Sequence, residues 1–190
     1  WMLAENNTEL SAIELLAVSH GPGSFTGLRV GVAAWKGLAT GAGLPIMGIS
    51  TLDALARRAP IANGHVCALL DAKMKEVYAT IYRYENGVRS CIQEALVAPI
   101  ETVVEECPEG TLFLGDGAGL YATAITEHLP SAIVLPEAYH PISAAMVALE
   151  AVALLASGVE PQNDLVSPIY LRKSQAEVMR DQKAQQASET

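Results

Sequence analysis

Residues 18–39 read Val18-Ser19-His20-Gly21-Pro22-Gly23-Ser24-Phe25-Thr26-Gly27-Leu28-Arg29-Val30-Gly31-Val32-Ala33-Ala34-Trp35-Lys36-Gly37-Leu38-Ala39. The apolar run that leads into them, 15–19, predicts a short buried strand, which stops at a Gly/Pro cluster able to turn tightly. A helix is expected next, over 27–40. Ser24 and Thr26 both suit its N-cap, and Leu28, Val32 and Trp35 recur at helical spacing, with Leu38 and Ala39 completing the same face. Strand, glycine loop and helix N-terminus together often receive an anion, because unpaired backbone N–H groups converge there.

Spacing narrows that possibility. The run Gly21 to Gly27 is G-x-G-x-x-x-G, one residue longer than the dinucleotide fingerprint, and no acidic strand end follows about 20 positions later. The lysine of a phosphate-binding P-loop is missing, since Lys36 lies some two turns or more inside the helix. Ser24 is not in G-x-S-x-G, which removes the nucleophile elbow. Gly21, Pro22, Gly23, Ser24, Thr26 and Gly27 then read as a structural loop that aims a helix. Within that helix Gly27, Gly31, Ala33, Gly37 and Gly41 place small residues along adjacent lines, although each glycine costs about 1 kcal/mol relative to alanine. Some backbone is therefore expected to come close. It belongs either to the protein's own sheet or to a partner helix meeting Leu28, Arg29, Gly31, Val32, Trp35 and Lys36.

The chain has 190 residues, is 51% hydrophobic and has a mean hydropathy of +0.26, enough for one core or two small lobes. Its formal charge is −9, and residues 1–171 carry 8 basic against 18 acidic side chains. Such a body repels a phosphate backbone, so direct nucleic-acid binding by this chain alone is not expected. No apolar run reaches the roughly 18 to 20 residues of a membrane span. Cys67, Cys91 and Cys107 are widely spaced and form no CxxC, so neither a disulfide framework nor a zinc site is indicated, and a reducing cytoplasm fits. His20, His65, His128 and His140 include no i, i+4 pair for a metal. The first residues lack a signal peptide, and a chain opening on Trp1 is not a natural translation start, so an N-terminal piece is expected to be missing.

Taken in order, residues 2–7 read as the end of a helix. Strand 15–19, helix 27–40, strand 45–49 and a short helix from about 51 to 59 follow. Pro60 to Gly64 is the best boundary, dividing a first α/β lobe (1–62) from a second (63–174). Beyond it come strands over 65–71, 76–84 and 88–97, the last two joined at Asn86-Gly87, a strong hairpin signal. Strand 111–115, helix 119–129, strand 132–135 and helix 143–155 continue the alternation. Residues 169–172 are expected to add an edge strand, and 175–190 to be a polar, disordered tail.

Few residues of the second lobe carry chemistry. Asp71 ends a strand before Ala72-Lys73-Met74-Lys75 and reads as a turn or cap residue, or less often as a metal ligand or base. Gly115 and Gly117, in Gly115-Asp116-Gly117-Ala118-Gly119, follow a strand and open a helix; they are weak cofactor-binding candidates that capping explains equally well.

The segment His20 to Gly31 with Lys36-Gly37-Leu38-Ala39 closely resembles the signature of the TsaB (YeaZ) family. Asp71-Ala72, Glu76-Val77-Tyr78 and Pro168-Ile169-Tyr170-Leu171-Arg172 also sit where that family has similar elements. The resemblance spans roughly residues 2–175. It implies an α/β fold of the actin-like, sugar-kinase and Hsp70 ATPase type, with two related lobes, the first incomplete in this chain. It also implies a non-catalytic scaffold that binds and activates a TsaD enzyme for threonylcarbamoylation of adenosine 37, in tRNAs reading codons that start with A. Further implied partners are a TsaE-like ATPase and, without TsaD, a second copy through the same helices. No cofactor is implied for the chain alone, although a nucleotide at a shared partner interface stays open. ATPases of this fold need two Asp-Gly phosphate hairpins; here Asp71-Ala72-Lys73 lacks the glycine of one, so its backbone cannot close around phosphates as tightly. The competing reading is an enzyme, either a phosphotransferase of the same superfold or a peptidase.

Overall fold

The computed structural model describes residues 2–172, and the tail expected over 175–190 lies outside them. After a short helix α1 (Met2–Glu5), which buries no residue, strand β1 (Leu16–Gly21) leads through the glycine loop into α2 (Phe25–Ala42). The Ser24 hydroxyl caps α2, accepting the Gly27 N–H at 3.3 Å. Gly43 ends it in the left-handed conformation, its N–H directed at the carbonyls of Ala39 and Thr40. Strand β2 (Ile46–Ser50) then pairs parallel with β1, in the register Leu16 to Ile46 through Ser19 to Ile49.

Alternation of side chains gives this two-stranded sheet two apolar faces. Leu16, Val18 and Ile46 pack beneath α2 against Val32 and Ala39, with Val166 closing the cluster. Met47 and Ile49 face the other way, onto Ala54 of α3 (Thr51–Ala56) and onto Val147 and Ala151. Those last two come from α7 (Ala144–Ala156), the final long helix. The sequence reading grouped 63–174 as one lobe, yet residues 144–172 pack largely on the first sheet. Chain order does not show this return, because helix α7 has no heptad or cap to say which sheet it covers.

The second sheet has the order β5-β4-β3-β6-β7. Strands β3 (Gly64–Lys73), β4 (Glu76–Glu85) and β5 (Val88–Pro99) form the expected antiparallel meander. Strands β6 (Leu112–Leu114) and β7 (Ile133–Val134) run parallel to β3. One face buries Leu69, Ile81 and Phe113 against α4 (Ile100–Glu105) and Ile125 of α6 (Ala122–His128). The other buries Val66, Ala68 and Tyr82 against Leu52 and Leu55 of α3.

Three expectations are corrected here. Helix α4 is absent from the sequence reading because it follows β5 directly and is capped by Pro99, without a polar side chain. The single helix expected over 119–129 is two, α5 (Asp116–Leu120) and α6, separated where Tyr121 leaves helical geometry (φ −107°). Residues 169–172 form no strand; the backbone contact there is the Ile169 N–H donating to the His20 carbonyl at 2.7 Å.

A buried ion-pair group ties the two sheets. Glu150 of α7, only 4% exposed, receives Arg57 Nε at 2.7 Å and Arg89 Nη2 at 2.5 Å. Arg89, from β5, also donates to the Asp53 carbonyl, while Asp53 accepts the Tyr82 hydroxyl at 2.8 Å. Two guanidiniums around one carboxylate make its burial tolerable.

Candidate functional site

The glycine loop holds a piece of its own chain. Residues 162–172 run back across the first sheet as a strap. Gln162 Oε1 accepts the Gly48 N–H at 2.8 Å and Asn163 Oδ1 the Ile46 N–H at 3.2 Å. Lys36 Nζ reaches the carbonyls of Asp164 (2.7 Å) and Val166 (3.2 Å). Gly21 has φ +129°, and a Cβ there would stand 2.6 Å from the Ile169 carbonyl oxygen, so only glycine lets the strap pass. His20 Nδ1 lies 3.1 Å from the Ser167 carbonyl, over a Gly48 whose missing side chain makes room for the ring. Burial holds the His20 imidazole below its ordinary pKa, outweighing the Ser167 bond and the Asp53 charge. His20 is thus a neutral strap holder near pH 7, not an anion donor.

At the mouth of the loop, Arg29 lies over the Phe25 ring, 4.0 Å from its centroid, and its Nε donates to the Tyr170 hydroxyl at 2.8 Å. The two rings are 5.0 Å apart and tilted by 35°. Arg172 continues the strap, bonding the Ala72 carbonyl at 2.9 Å and pairing with Glu76.

The small residues of α2 lie on or beside its outer face. Among the described residues a Cβ at Gly31, Gly37 or Gly41 would meet nothing within 4 Å, so the protein's own sheet does not explain these glycines. Val30 is 65% exposed, with Leu38 at 41% and Trp35 at 36%. Both charges of the helix, Arg29 and Lys36, lie on its strap side, which leaves Val30, Ala33, Ala34, Gly37, Leu38 and Gly41 as an uncharged outward surface. Two of the expected interface residues are corrected. Val32 is 4% exposed, in the core beneath α2, and the Lys36 ammonium is taken up by the strap. Leu28 is half-buried, and Gly31, Arg29 and Trp35 keep exposed surface.

The nucleotide-side candidates have structural explanations. Gly115 (φ +105°) sits so close to β3 that a Cβ would be 1.9 Å from the Leu69 carbonyl oxygen, and one at Gly117 would be 3.1 Å from Leu69 and Leu70. Their missing side chains serve strand–helix packing. Asp71 accepts the Lys73 backbone N–H (2.8 Å) and its ammonium (2.5 Å). Partial burial pushes the Asp71 carboxyl up, but the Lys73 bonds outweigh it and leave the group below the usual range. It is a turn residue, as its sequence context indicates. A cavity of about 680 Å³ opens beside α5, lined by Leu70, Asp116, Leu120, Glu137, His140 and Ile142 among others. Among the described residues no cluster of His, Cys, Asp and Glu is fit to hold a metal, and no helix is long and apolar enough to cross a membrane.

The strap was missed by sequence reasoning apart from the Pro168 to Arg172 match, because its grip depends on scattered amides and carbonyls. The available signal was Tyr170 with Arg29, an aromatic and a cation far apart in the chain.

The family model described as TsaD: tRNA N6-adenosine threonylcarbamoyltransferase matches residues 2–179. The chain is 34% identical over 184 residues to the tRNA threonylcarbamoyladenosine biosynthesis protein TsaB of Haemophilus influenzae, covering 90% of this chain and 75% of that protein. It is 48% identical over 90 residues to the Escherichia coli protein of the same name, covering 46% of this chain and 39% of that one. A solved structure described as YeaZ from Pseudomonas aeruginosa superposes with a TM-score of 0.74 at 29% identity, over 89% of this chain and 79% of its own. The two helix-flanked sheets have the actin-like α/β architecture. With one family model spanning every described residue and a TsaB relative aligned along 90% of this chain and 75% of the relative's own length, the chain belongs to the TsaB (YeaZ) members of the TsaD family.

Proposed function

We propose that this chain works in tRNA threonylcarbamoyladenosine biosynthesis as a non-catalytic scaffold, docking through α2 onto a TsaD-type enzyme and holding it in its active conformation. The observation that carries this reading is the uncharged outer face of α2, where Gly37 and Gly41, with Gly31 at its margin, leave space for another backbone. An 18-residue helix spends stability on such glycines, and close approach of a partner helix is what they permit. The non-catalytic part is supported by Gly115 and Gly117 being consumed by packing, and by an Asp71 carboxylate already held by Lys73. Without the enzyme, two copies associate through the same face, and a TsaE-type ATPase joins the assembled pair.

Reconstitution tests this. The purified chain is added to a tRNA-threonylcarbamoylating mixture that lacks only its TsaB component, and modified adenosine is measured. Restored modification is expected, and Ala34→Arg, which places a long cation on the outer face, abolishes it while leaving a folded monomer. No restoration by the unaltered chain sinks the scaffold reading; turnover of ATP by the chain alone replaces it with an enzyme.

A further inference from the structure

We propose that Arg29 is the anchor of the α2 docking face and recognises a carboxylate on the protein that seats there; this rests on the docking role given to α2 above. Arg29 projects from the second turn of α2, at the edge of the uncharged surface. Phe25 lies beneath the guanidinium at 4.0 Å, Tyr170 lies 5.7 Å away, and the Tyr170 hydroxyl takes the Nε proton at 2.8 Å. These partners fix the plane of a side chain that would otherwise lose its rotamer freedom on docking.

Among the described residues nothing hydrogen-bonds its terminal nitrogens, since only Nε is used. Among the described residues no carboxylate lies within 4.0 Å of Arg29, whereas Arg57, Arg83, Arg89 and Arg172 each have an acidic partner. A pre-oriented fork of N–H donors matches a carboxylate in bidentate geometry. The flanking rings, Phe25 at 39% and Tyr170 at 42% exposure, give the arginine-and-aromatic composition of an interface anchor.

The surroundings favour a protein over a nucleic acid. A phosphate backbone needs several free cations, but the other cation of α2, Lys36, is bound to two strap carbonyls, and the chain carries a charge of −9. Next to Arg29 the helix presents Val30, Ala33, Ala34 and Gly37, a surface for side-chain packing. The partner is thus a protein surface with an Asp or Glu at the rim of a contact with small apolar residues.

Titration calorimetry of the full chain against its TsaD-type subunit, at low and high salt, tests the assignment. Arg29→Gln is expected to weaken binding roughly thirtyfold or more and to flatten its salt dependence. Arg29→Lys, which keeps charge but not the fork, costs roughly tenfold, and Tyr170→Phe a few-fold, with melting temperatures near that of the parent chain. If Ala34→Arg abolishes binding while Arg29→Gln and Arg29→Lys leave it unchanged, docking stands and the anchor is wrong. If none of the three changes affinity, the docking reading falls as well. Arg29→Gln affecting only tRNA retention, or only self-association, overturns the proposal in favour of a phosphate or of a second copy. Should Arg29→Gln fail to fold, Arg29→Lys and Tyr170→Phe decide it.

Discussion

Single glycines in this chain carry opposite duties, and substitution separates them. At Gly115 a methyl group meets the Leu69 carbonyl at 1.9 Å with a φ that L-residues rarely adopt. Gly115→Ala is expected to cost at least about 2–4 kcal/mol in chemical denaturation. At Gly37 the same methyl meets open space inside a helix, so Gly37→Ala is expected to stabilise the isolated chain by about 0.5–1 kcal/mol. The sequence shows both as glycines near a helix; what lies beside each is decided by chain segments far away. His20 has a similar history. It stands beside the glycine loop, and burial against the strap makes it neutral. Because its folded pKa lies below the unfolded value of about 6.5, the unfolded chain takes up the proton first as pH falls. Stability is therefore lost below about pH 6.5. Melting temperatures followed from pH 7.5 to 5.5 are expected to decline, and His20→Gln should flatten that slope.

At the scale of elements, α2 was legible because cap, apolar spacing and glycine stop agree; the observed Phe25–Ala42 exceeds the expected helix by two residues at each end. The meander was legible too, since Asn86 and Gly87 take the positive φ values a tight hairpin requires. The strap was not, because its hold comes from Lys36, Gln162, Asn163 and His20, which share no period. Lys36 is the natural place to loosen it. Its ammonium makes two charge-assisted bonds to strap carbonyls, each typically contributing about 1.5–3 kcal/mol, partly offset by solvent. Lys36→Met should leave α2 helical by circular dichroism and speed chymotryptic cleavage at Tyr170 and Leu171. Unchanged cleavage would mean that the amides and the Gly21 passage suffice.

For the whole molecule, the α/β class was readable from the order of elements, whereas the return of α7 to the first sheet was not. That return is fastened by Glu150. Removing its carboxylate leaves Arg57 and Arg89 facing each other, with Arg89 half-enclosed by Tyr82 and Tyr84. Glu150→Ala is expected to cost about 3–5 kcal/mol. Whether both sheets then melt together or apart, by calorimetry, reports how far this group couples them.

The two amide side chains at the start of the strap have another consequence. In a parallel pair, alternate backbone N–H groups of β2 point away from β1, and those of Ile46 and Gly48 end on Asn163 and Gln162 instead of on water. Short side chains thereby occupy the positions that an incoming strand from another molecule would use. They blunt a template for ordered aggregation while adding no strand of their own. A chain carrying Gln162→Ala and Asn163→Ala together should keep its helices yet gain thioflavin-T-positive assemblies on prolonged incubation, so the strap guards an open sheet edge as well as holding the glycine loop.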